Sequence, residues 1–253
     1  MNVTNELVLV LAFRRGKRSV WHWITIDGPA ATGKSTLGQT IANQLGWLCI
    51  DTGLFYRTVA WLAAREQIAP SNAAACATLV LTIDVQQPLA QSPRSAPLRL
   101  LVHGEEVSRH VQTPILPPST ALIASHAQVR RALLVRFRAL TTQASGIMIG
   151  RDAGTMILPA ADLKVILSAS LEQRAWRRWN QLCHSAPEGI PPVPLGHIQE
   201  ELARRDVHDP FFSRPATDAL VLDTDTLHHE EVTRLVLALL VNHGFATHQE
   251  AGI

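Results

Sequence analysis

The segment 28–35 constrains this chain more than any other feature of its sequence. It reads Gly-Pro-Ala-Ala-Thr-Gly-Lys-Ser, between an apolar run ending at Ile26 and a helical repeat of apolar residues over 37–45. The glycines allow successive backbone N–H groups to turn toward phosphate oxygens, and a helix N-terminus adds partial positive charge behind them. This order predicts a nucleoside triphosphate site, with Lys34 on the β- and γ-phosphates and the Ser35 hydroxyl on Mg²⁺. The alternative is a Gly-rich turn before an ordinary helix.

The bulk composition narrows the class of protein. A chain of 253 residues with 47% hydrophobic residues can build one sizeable core. Its 23 basic and 21 acidic residues give a net charge of +2, which predicts no nucleic-acid partner. Cys49, Cys76 and Cys183 form no C-x-x-C pair, so we expect neither a disulfide framework nor a zinc site, and a reducing cytoplasm fits best.

The first 20 residues read as an N-terminal extension. An apolar run at 7–13 is followed by basic residues over 14–18, whereas a secretory signal carries its positive charge before the apolar run. The run is also shorter than the roughly 20 residues that a spanning helix needs. We therefore expect no stable membrane association. The alternative is a surface helix that contacts a partner or a membrane.

From Trp21 onward, short apolar runs alternate with segments of helical period. The runs predict strands at 24–26, 47–50, 147–149, 163–167 and 219–222. Five strands alternating with helices predict an α/β fold over 21–250, with a parallel sheet covered on both faces. Ligands bind beyond the carboxyl ends of such strands, a rule that marks out the segments 28–35 and 150–152 with Asp51, Thr52 and Asp223.

A small β-containing insert interrupts this alternation. Strands are predicted at 79–85 and 98–102, with a Pro- and Ser-containing loop at 88–97 and a turn at 103–105. Ser119 is then predicted to cap a long helix. Its apolar face would be Leu122, Val129, Leu133, Phe137 and Leu140.

Arginines supply most of the remaining candidate chemistry. Arg174, Arg177 and Arg178 share one helix face, and Arg204-Arg205 follow a Pro-rich loop at 185–194. Planar guanidinium groups suit the charge that spreads over a phosphoryl group during transfer. Alone, these residues are equally typical of a solvated basic face, just as Asp51 is typical of a helix cap and Asp152 of an ion pair with Arg151.

Several motifs occur in a fixed order along the chain. They are Ile26-Asp27-Gly28-Pro29 with Gly33-Lys34-Ser35, Asp51-Thr52-Gly53 with Tyr56-Arg57, Gly150-Arg151-Asp152 with Gly154-Thr155, Arg174 with Arg177-Arg178, and Arg205-Asp206 with Asp209. This ordered set, over about 24–244, resembles the bacterial cytidylate (CMP) kinases. The resemblance implies a P-loop kinase core of the nucleoside monophosphate kinase type, an NMP-binding insert at 66–143 and a mobile lid at about 184–194. It also implies a monomeric cytoplasmic enzyme of pyrimidine nucleotide metabolism, which converts MgATP and CMP or dCMP into ADP and CDP or dCDP.

The same resemblance assigns roles to individual residues. The ATP phosphates would be held by Gly28, Pro29, Ala30, Ala31, Thr32, Gly33, Lys34, Ser35 and Thr36, with Ser35 on Mg²⁺. The phosphate of the acceptor would be bound by Thr52, Arg57 and Arg151, and its cytosine by Arg130 and Asp152. Asp209 would bind the ribose, and Arg214 would also belong to the acceptor site. The catalytic cations would be Lys34, Arg174, Arg178 and Arg205. In-line positioning and charge stabilisation would then suffice, without a covalent intermediate.

The chain departs from the family pattern on the acceptor side. Ala121 stands where a serine is usual, Gln112 where an arginine is usual, and Ile149 where an acidic residue usually precedes the segment 150–152. Arg214 also follows Asp209 at a longer spacing than the family shows. Two other hypotheses stay open: a kinase of this architecture for another nucleoside monophosphate, and a nucleotide-binding protein without efficient transfer.

Overall fold

The computed structural model describes residues 21–86, 98–111, 118–185, 193–207 and 215–252. Its strands are β1 (Trp23–Asp27), β2 (Leu48–Asp51), β3 (Ile83–Gln86), β4 (Arg99–Val102), β5 (Glu105–Glu106), β6 (Gly146–Ile149), β7 (Leu163–Ser168) and β8 (Leu220–Asp223). Among the described residues, five strands form a parallel sheet in the order β2–β6–β1–β7–β8, and β3–β4–β5 form an antiparallel sheet. The predicted five-stranded parallel sheet is therefore confirmed, with each strand within one residue of its expected bounds.

Helices connect the strands and cover the parallel sheet. They are α1 (Lys34–Leu45), α2 (Thr52–Arg65), α3 (Ala73–Leu79), α4 (Ser108–Val111), α5 (Pro118–Ser125), α6 (Ala127–Leu140), α7 (Leu171–Ser185), α8 (Leu195–Val207), α9 (His229–Asn242) and α10 (His248–Ala251). Local sequence sets several ends: the Asp51 and Asn72 side chains cap α2 and α3, and Gly46 ends α1 in the left-handed conformation. Of the helices in these ranges, none has the length and apolar character needed to cross a membrane.

The two faces of the parallel sheet bury different side chains. Ile24 and Ile26 alternate with Trp23 along β1, and Ile147 and Ile149 alternate with Met148 along β6, as the two-residue period of a strand requires. One set packs against α1 and α9, and the other packs against α2 and α6. Burial on both faces explains why these strands read as continuous apolar runs.

The predicted first strand of the insert is wrong over residues 79–82. Helix α3 runs to Leu79 and a 3₁₀ turn covers Val80–Thr82, so that β3 begins only at Ile83. The buried residues are Cys76, Leu79, Val80 and Ile83, a helical spacing that outweighs the β-branched composition of the run. The strand predicted at 98–102 and the turn after it are confirmed as β4 and its hairpin with β5. The loop predicted at 88–97 lies outside the described residues.

The predicted long helix is two helices. The chain leaves helical geometry at His126, between α5 and α6, and the His126 imidazole lies 2.8 Å from the Pro70 carbonyl oxygen. Leu122 was expected on the buried face, yet it is 44% exposed, because Ile123 occupies the core instead. The rest of the predicted face, from Val129 to Leu140, is buried on α6.

Several expectations about boundaries remain predictions. The extension 1–20, most of the lid at about 184–194, and the residues Gln112, Asp209 and Arg214 lie outside the described residues. The extent of the insert, 66–143, is likewise a prediction, although its antiparallel sheet is present.

An aromatic pair joins helix α6 to helix α2 within the core. The Phe137 ring meets the Phe55 ring edge-to-face at 4.9 Å between centroids, and both side chains are fully buried. We expect Phe137→Ala to lower the free energy of unfolding by about 3–5 kcal/mol, the usual range for a buried Phe. Val135→Ala on the exposed side of the same helix should change it by less than about 0.5 kcal/mol. Urea denaturation measures both, and a loss below about 1 kcal/mol for Phe137→Ala would contradict this packing.

Candidate active site

The loop at 28–35 begins directly after β1 and ends in the first turn of α1. Gly28 has a φ of 148°, and a Cβ there would lie 2.3 Å from the Leu167 carbonyl oxygen, so only glycine fits between β1 and β7. Gly33 and Ala31 also have positive φ, of 95° and 65°, which curls the backbone around a central space. A loop of this shape at a helix N-terminus can bind an anion, and the predicted binding of ATP phosphates by these residues stays a prediction.

Lys34 lies folded across this loop. Its ammonium donates a hydrogen bond of 2.5 Å to the Pro29 carbonyl oxygen. Desolvation and the nearby positive charge of Arg151 lower the pKa of Lys34 to about 7, against the opposing effects of Asp51 and Asp27. A polyphosphate in the loop would place negative charge beside the ammonium, and this charge would raise the pKa of Lys34.

Oxygen donors suited to Mg²⁺ lie at the mouth of the loop. The Ser35 hydroxyl donates to Asp51 Oδ2 at 2.8 Å, while Asp51 Oδ1 accepts from the Gly53 backbone N–H. In the described ranges, no cluster of three or more His, Cys, Asp or Glu side chains could hold a metal by itself. One hydroxyl and one carboxylate fit an ion that keeps several waters and takes its other ligands from a nucleotide. Asp51 is thus both the helix cap that its sequence suggested and a neighbour of the predicted metal ligand.

The segment after β6 carries the predicted acceptor residues. Asp152 is nearly buried and forms an ion pair with Arg130, which reaches it from α6. The Arg130 guanidinium also lies over the Tyr56 ring, 5.8 Å from its centroid, and donates to the Ala124 carbonyl oxygen at 3.3 Å. The structure therefore brings together the two side chains predicted to bind cytosine, from positions 22 residues apart.

Two predicted phosphate ligands lie on α2. Arg57 is half-buried and donates to the Val111 carbonyl oxygen at 3.4 Å, at the edge of the insert. The Thr52 hydroxyl is buried and donates to the Ile149 carbonyl oxygen at 2.9 Å, so its proton already has an acceptor in β6. The predicted binding of phosphate by Thr52 stays a prediction.

The three predicted lid arginines do not share one environment. Arg174 is 5% exposed and pairs with Asp206 at 2.7 Å, which joins α7 to α8. Arg178 donates to Gln181 Oε1, and Arg205 lies 3.6 Å from Glu201 one turn earlier on α8. Arg174 therefore joins α7 to α8, whereas Arg178 and Arg205 line a small pocket formed by both helices.

Cations of the loop, of the segment after β6 and of helices α7 and α8 influence one another's pKa. Desolvation and then Arg151 lower the pKa of Arg205 to about 10, with further lowering by Arg178 and Arg57 and opposition from Glu201. The pKa of Arg178 is also lowered, by desolvation and then by Arg57. Such mutual effects require that the charges face each other across little water. Asp27, Asp51 and Glu201 oppose these effects only in part, so the balance of charge suits an anion.

The departures from the family pattern have clear places in the structure. The Ile149 side chain is in the core, where a Cβ added at Gly38 of α1 would lie 2.5 Å from its Cδ1. It therefore packs under the loop helix rather than into the site. Ala121 is exposed on α5, and Gln112 and Arg214 lie outside the described residues.

Sequence reasoning missed several parts of the site. Asp27 accepts hydrogen bonds from Ala153 and Gly154, and Arg138 donates to the carbonyl oxygens of Met156 and Ile157. A cavity of about 180 Å³ also lies beside the loop. Its lining includes Thr32, Gly33, Thr36, Arg177, Thr224 and His229. The partners come from distant parts of the chain, and only the Asp before Gly28 was visible as part of a motif.

A curled glycine-containing loop after the central strand of a parallel sheet, followed by a helix that begins with Lys34 and Ser35, is the arrangement of a P-loop kinase of the nucleoside monophosphate type. The chain belongs to the cytidylate kinase family, whose model matches residues 24–242. It is 35% identical over 220 residues to the cytidylate kinase of Roseiflexus castenholzii, covering 87% of this chain and 93% of the relative. It is 39% identical to that of Chloroflexus aggregans over 216 residues, covering 85% of this chain and 91% of the relative. The resemblance seen in the sequence is confirmed.

Asp27 gives the fold a specific dependence on pH. Burial, with a smaller effect of Asp152, raises the pKa of Asp27 from 3.8 to about 6, although the two backbone hydrogen bonds lower it. Because the folded value is the higher one, the contribution favours folding below pH 3.8 and is lost as the pH rises through 6. The stability of the wild type relative to Asp27→Asn should therefore fall by about 2 kcal/mol between pH 4 and pH 7.

Urea denaturation of both proteins across this pH range measures the change. The difference between two proteins removes the titration of every group that they share. A difference in unfolding free energy that stays constant with pH would show that the Asp27 carboxyl titrates as it does in water.

Proposed function

We propose that this protein transfers the terminal phosphoryl group of MgATP to CMP or dCMP, giving ADP and CDP or dCDP. The observation that carries the proposal is the proximity of Arg151 to both Lys34 and Arg205, and of Arg178 to Arg205, which together with desolvation lowers the pKa of Lys34 and Arg205. A phosphoryl group in transfer spreads negative charge over its equatorial oxygens, and these cations are arranged to stabilise it. Membership of the cytidylate kinase family supports the choice of acceptor.

The donor nucleotide would lie along the loop and α1. Backbone N–H groups of the segment 28–36 and the Lys34 ammonium would bind its phosphates, and Ser35 with Asp51 would hold Mg²⁺. The metal would neutralise charge on the phosphates and orient them. The cavity beside the loop would take the adenine, with its apolar lining from Leu37, Leu167 and Leu227 against the flat base.

The acceptor would lie between β6 and the insert. Arg57 and Arg151 would bind its phosphate, with Thr52 beside them, and Arg130 and Asp152 would bind the cytosine. Asp209 would bind a ribose hydroxyl, and Arg214 would also bind the acceptor. Arg178 and Arg205, with Arg174 behind them, would close from the lid side and exclude water, which would otherwise compete as acceptor.

The direct test is ADP release over a panel of nucleoside monophosphates, with CMP, dCMP, UMP, AMP and GMP as acceptors. We expect turnover with CMP and dCMP, and a loss of about 10²–10³-fold in kcat for Lys34→Ala, as when one preorganised donor is removed from a transition state. Arg131→Ala is the matched control, because it removes one charge from an exposed position on α6. Turnover of another monophosphate in preference to CMP would support the alternative kinase. ADP release that never depends on an acceptor would contradict transfer altogether.

Asp152 should decide between cytosine and uracil. Cytosine presents an amino donor where uracil presents a carbonyl acceptor, and an ionised carboxylate attracts only the donor. A charge-assisted hydrogen bond contributes about 1.5–3 kcal/mol, or about 10- to 150-fold in kcat/KM. Asp152→Asn should therefore lower kcat/KM for CMP by this factor, and the ratio of kcat/KM for CMP to that for UMP should fall. An equal loss with both acceptors would instead assign Asp152 a role in folding or in the transfer step.

A further inference from the structure

Asp27 links the donor side of the site to the acceptor side. It is the last residue of β1, directly before Gly28, and its carboxylate is 7% exposed. Oδ1 accepts a hydrogen bond of 2.9 Å from the Ala153 N–H, and Oδ2 accepts one of 2.8 Å from the Gly154 N–H. Each oxygen of one side chain thus binds a different backbone amide of the segment that follows β6.

That segment carries the acceptor residues. Ala153 and Gly154 directly follow Arg151 and Asp152, so fixing their amides fixes the backbone from which both side chains project. The chain then makes a single π-turn over Ala153–Ile157, closed by the hydrogen bond from the Leu158 N–H to the Ala153 carbonyl oxygen. Such turns are rare and concentrate at functional sites.

The π-turn is held at both ends. Arg138 of α6 donates to the Met156 and Ile157 carbonyl oxygens, each at 3.2 Å, while Asp27 holds the amides at the start. Gly154 packs closely against Asp27. A Cβ added at Gly154 would lie 2.8 Å from Thr25 Oγ1 and 3.3 Å from Asp27 Oδ2. A displacement of the carboxylate would therefore be transmitted to the turn rather than absorbed in empty space.

A buried carboxylate at this position has an energetic cost. Burial and the like charge of Asp152 disfavour its ionised form, and only the two amides and Lys34 favour it. A neutral side chain would pack in the same space without that cost, so the carboxylate suggests a requirement that packing does not explain.

We infer that Asp27 is a positioning residue that fixes Arg151 and Asp152 of the acceptor segment relative to the phosphate-binding loop. The inference rests on the proposed function, since it concerns the distance between the two substrates of that reaction. Asp27 contacts the backbone of the acceptor segment, and it acts on the substrate through Arg151 and Asp152.

Asp27→Asn tests this inference. An amide has one acceptor oxygen, and its NH₂ group opposes the second backbone N–H, so one of the two hydrogen bonds is lost. Removing a hydrogen bond to a charged group changes an equilibrium constant by about 10- to 150-fold. We expect Kd and KM for CMP to rise by at least tenfold and the preference for CMP over UMP to narrow. Kd for ATP, measured by calorimetry without acceptor, should change by less than about threefold.

Asp162→Asn is the matched control. Asp162 Oδ2 accepts a hydrogen bond of 2.8 Å from the Trp23 N–H, at the other end of the same strand and away from the acceptor segment. This variant should leave both Kd values and the base preference unchanged, whatever it does to the melting temperature. If Asp162→Asn weakens the binding of CMP as much as Asp27→Asn does, then loss of stability explains both effects and the inference is wrong.

Gly154→Ala provides a second route in case Asp27→Asn does not fold. It keeps the carboxylate but pushes the amides away from it, and we expect the same selective loss of CMP affinity. Equal losses for ATP and CMP in these variants, or no loss for CMP, would overturn the inference while leaving the proposed function intact. Failure of the wild type to bind CMP would instead overturn the proposed function.

Discussion

Burial of apolar side chains on both faces of the parallel sheet is the interaction on which the rest of this structure depends. Lys34, Arg151, Arg178 and Arg205 come from four separate segments of the chain. Arg151 lowers the pKa of Lys34, and Arg151 and Arg178 lower the pKa of Arg205. The pKa of Arg178 is itself lowered by Arg57. Asp27, Asp51 and Glu201 oppose this effect only in part. The fold holds these groups together through burial of apolar surface elsewhere, above all on the two faces of the parallel sheet. A site built in this way is complementary to an anion.

The arrangement of the sheet explains how such distant residues meet. Strand β1 lies between β6 and β7, so the loop after β1 is flanked by the segment after β6 on one side and by the start of α7 on the other. The carboxyl ends of parallel strands lie at one edge, and this places the loop after β1 beside the segment after β6. Asp27 then joins them directly across 126 positions of sequence.

Sequence alone predicted the parts of the site whose signal is local. The loop at 28–35 needs glycines, a lysine and a serine at fixed spacing, and each strand of the parallel sheet is a short apolar run with clear ends. The acceptor pair Arg130–Asp152 came only with the family resemblance, because nothing local relates a helix residue to one 22 positions later. The role of Asp27 was hidden for the same reason, since its partners are backbone amides that any residue could supply.

Where prediction failed, two local signals competed. Residues 79–82 have the β-branched composition of a strand, yet their buried positions continue the period of α3. In the predicted long helix, Leu122 and Ile123 are equally apolar, and the turn at His126 decides which of them reaches the core. The sequence also did not show where the Ile149 side chain lies. It packs beneath α1, and Asp51 is the carboxylate that contacts Ser35.

Equilibrium binding of a bisubstrate nucleotide tests the central claim most directly. In this compound, adenosine and cytidine are joined through five phosphates at their 5′ positions, so that one molecule spans the donor and acceptor sides. If the cations enclose one continuous phosphate path, the compound should bind about 100-fold or more tightly than either ATP or CMP alone, because the second contact becomes intramolecular. Binding no tighter than that of ATP would show that the acceptor segment does not face the donor loop across a shared phosphoryl group.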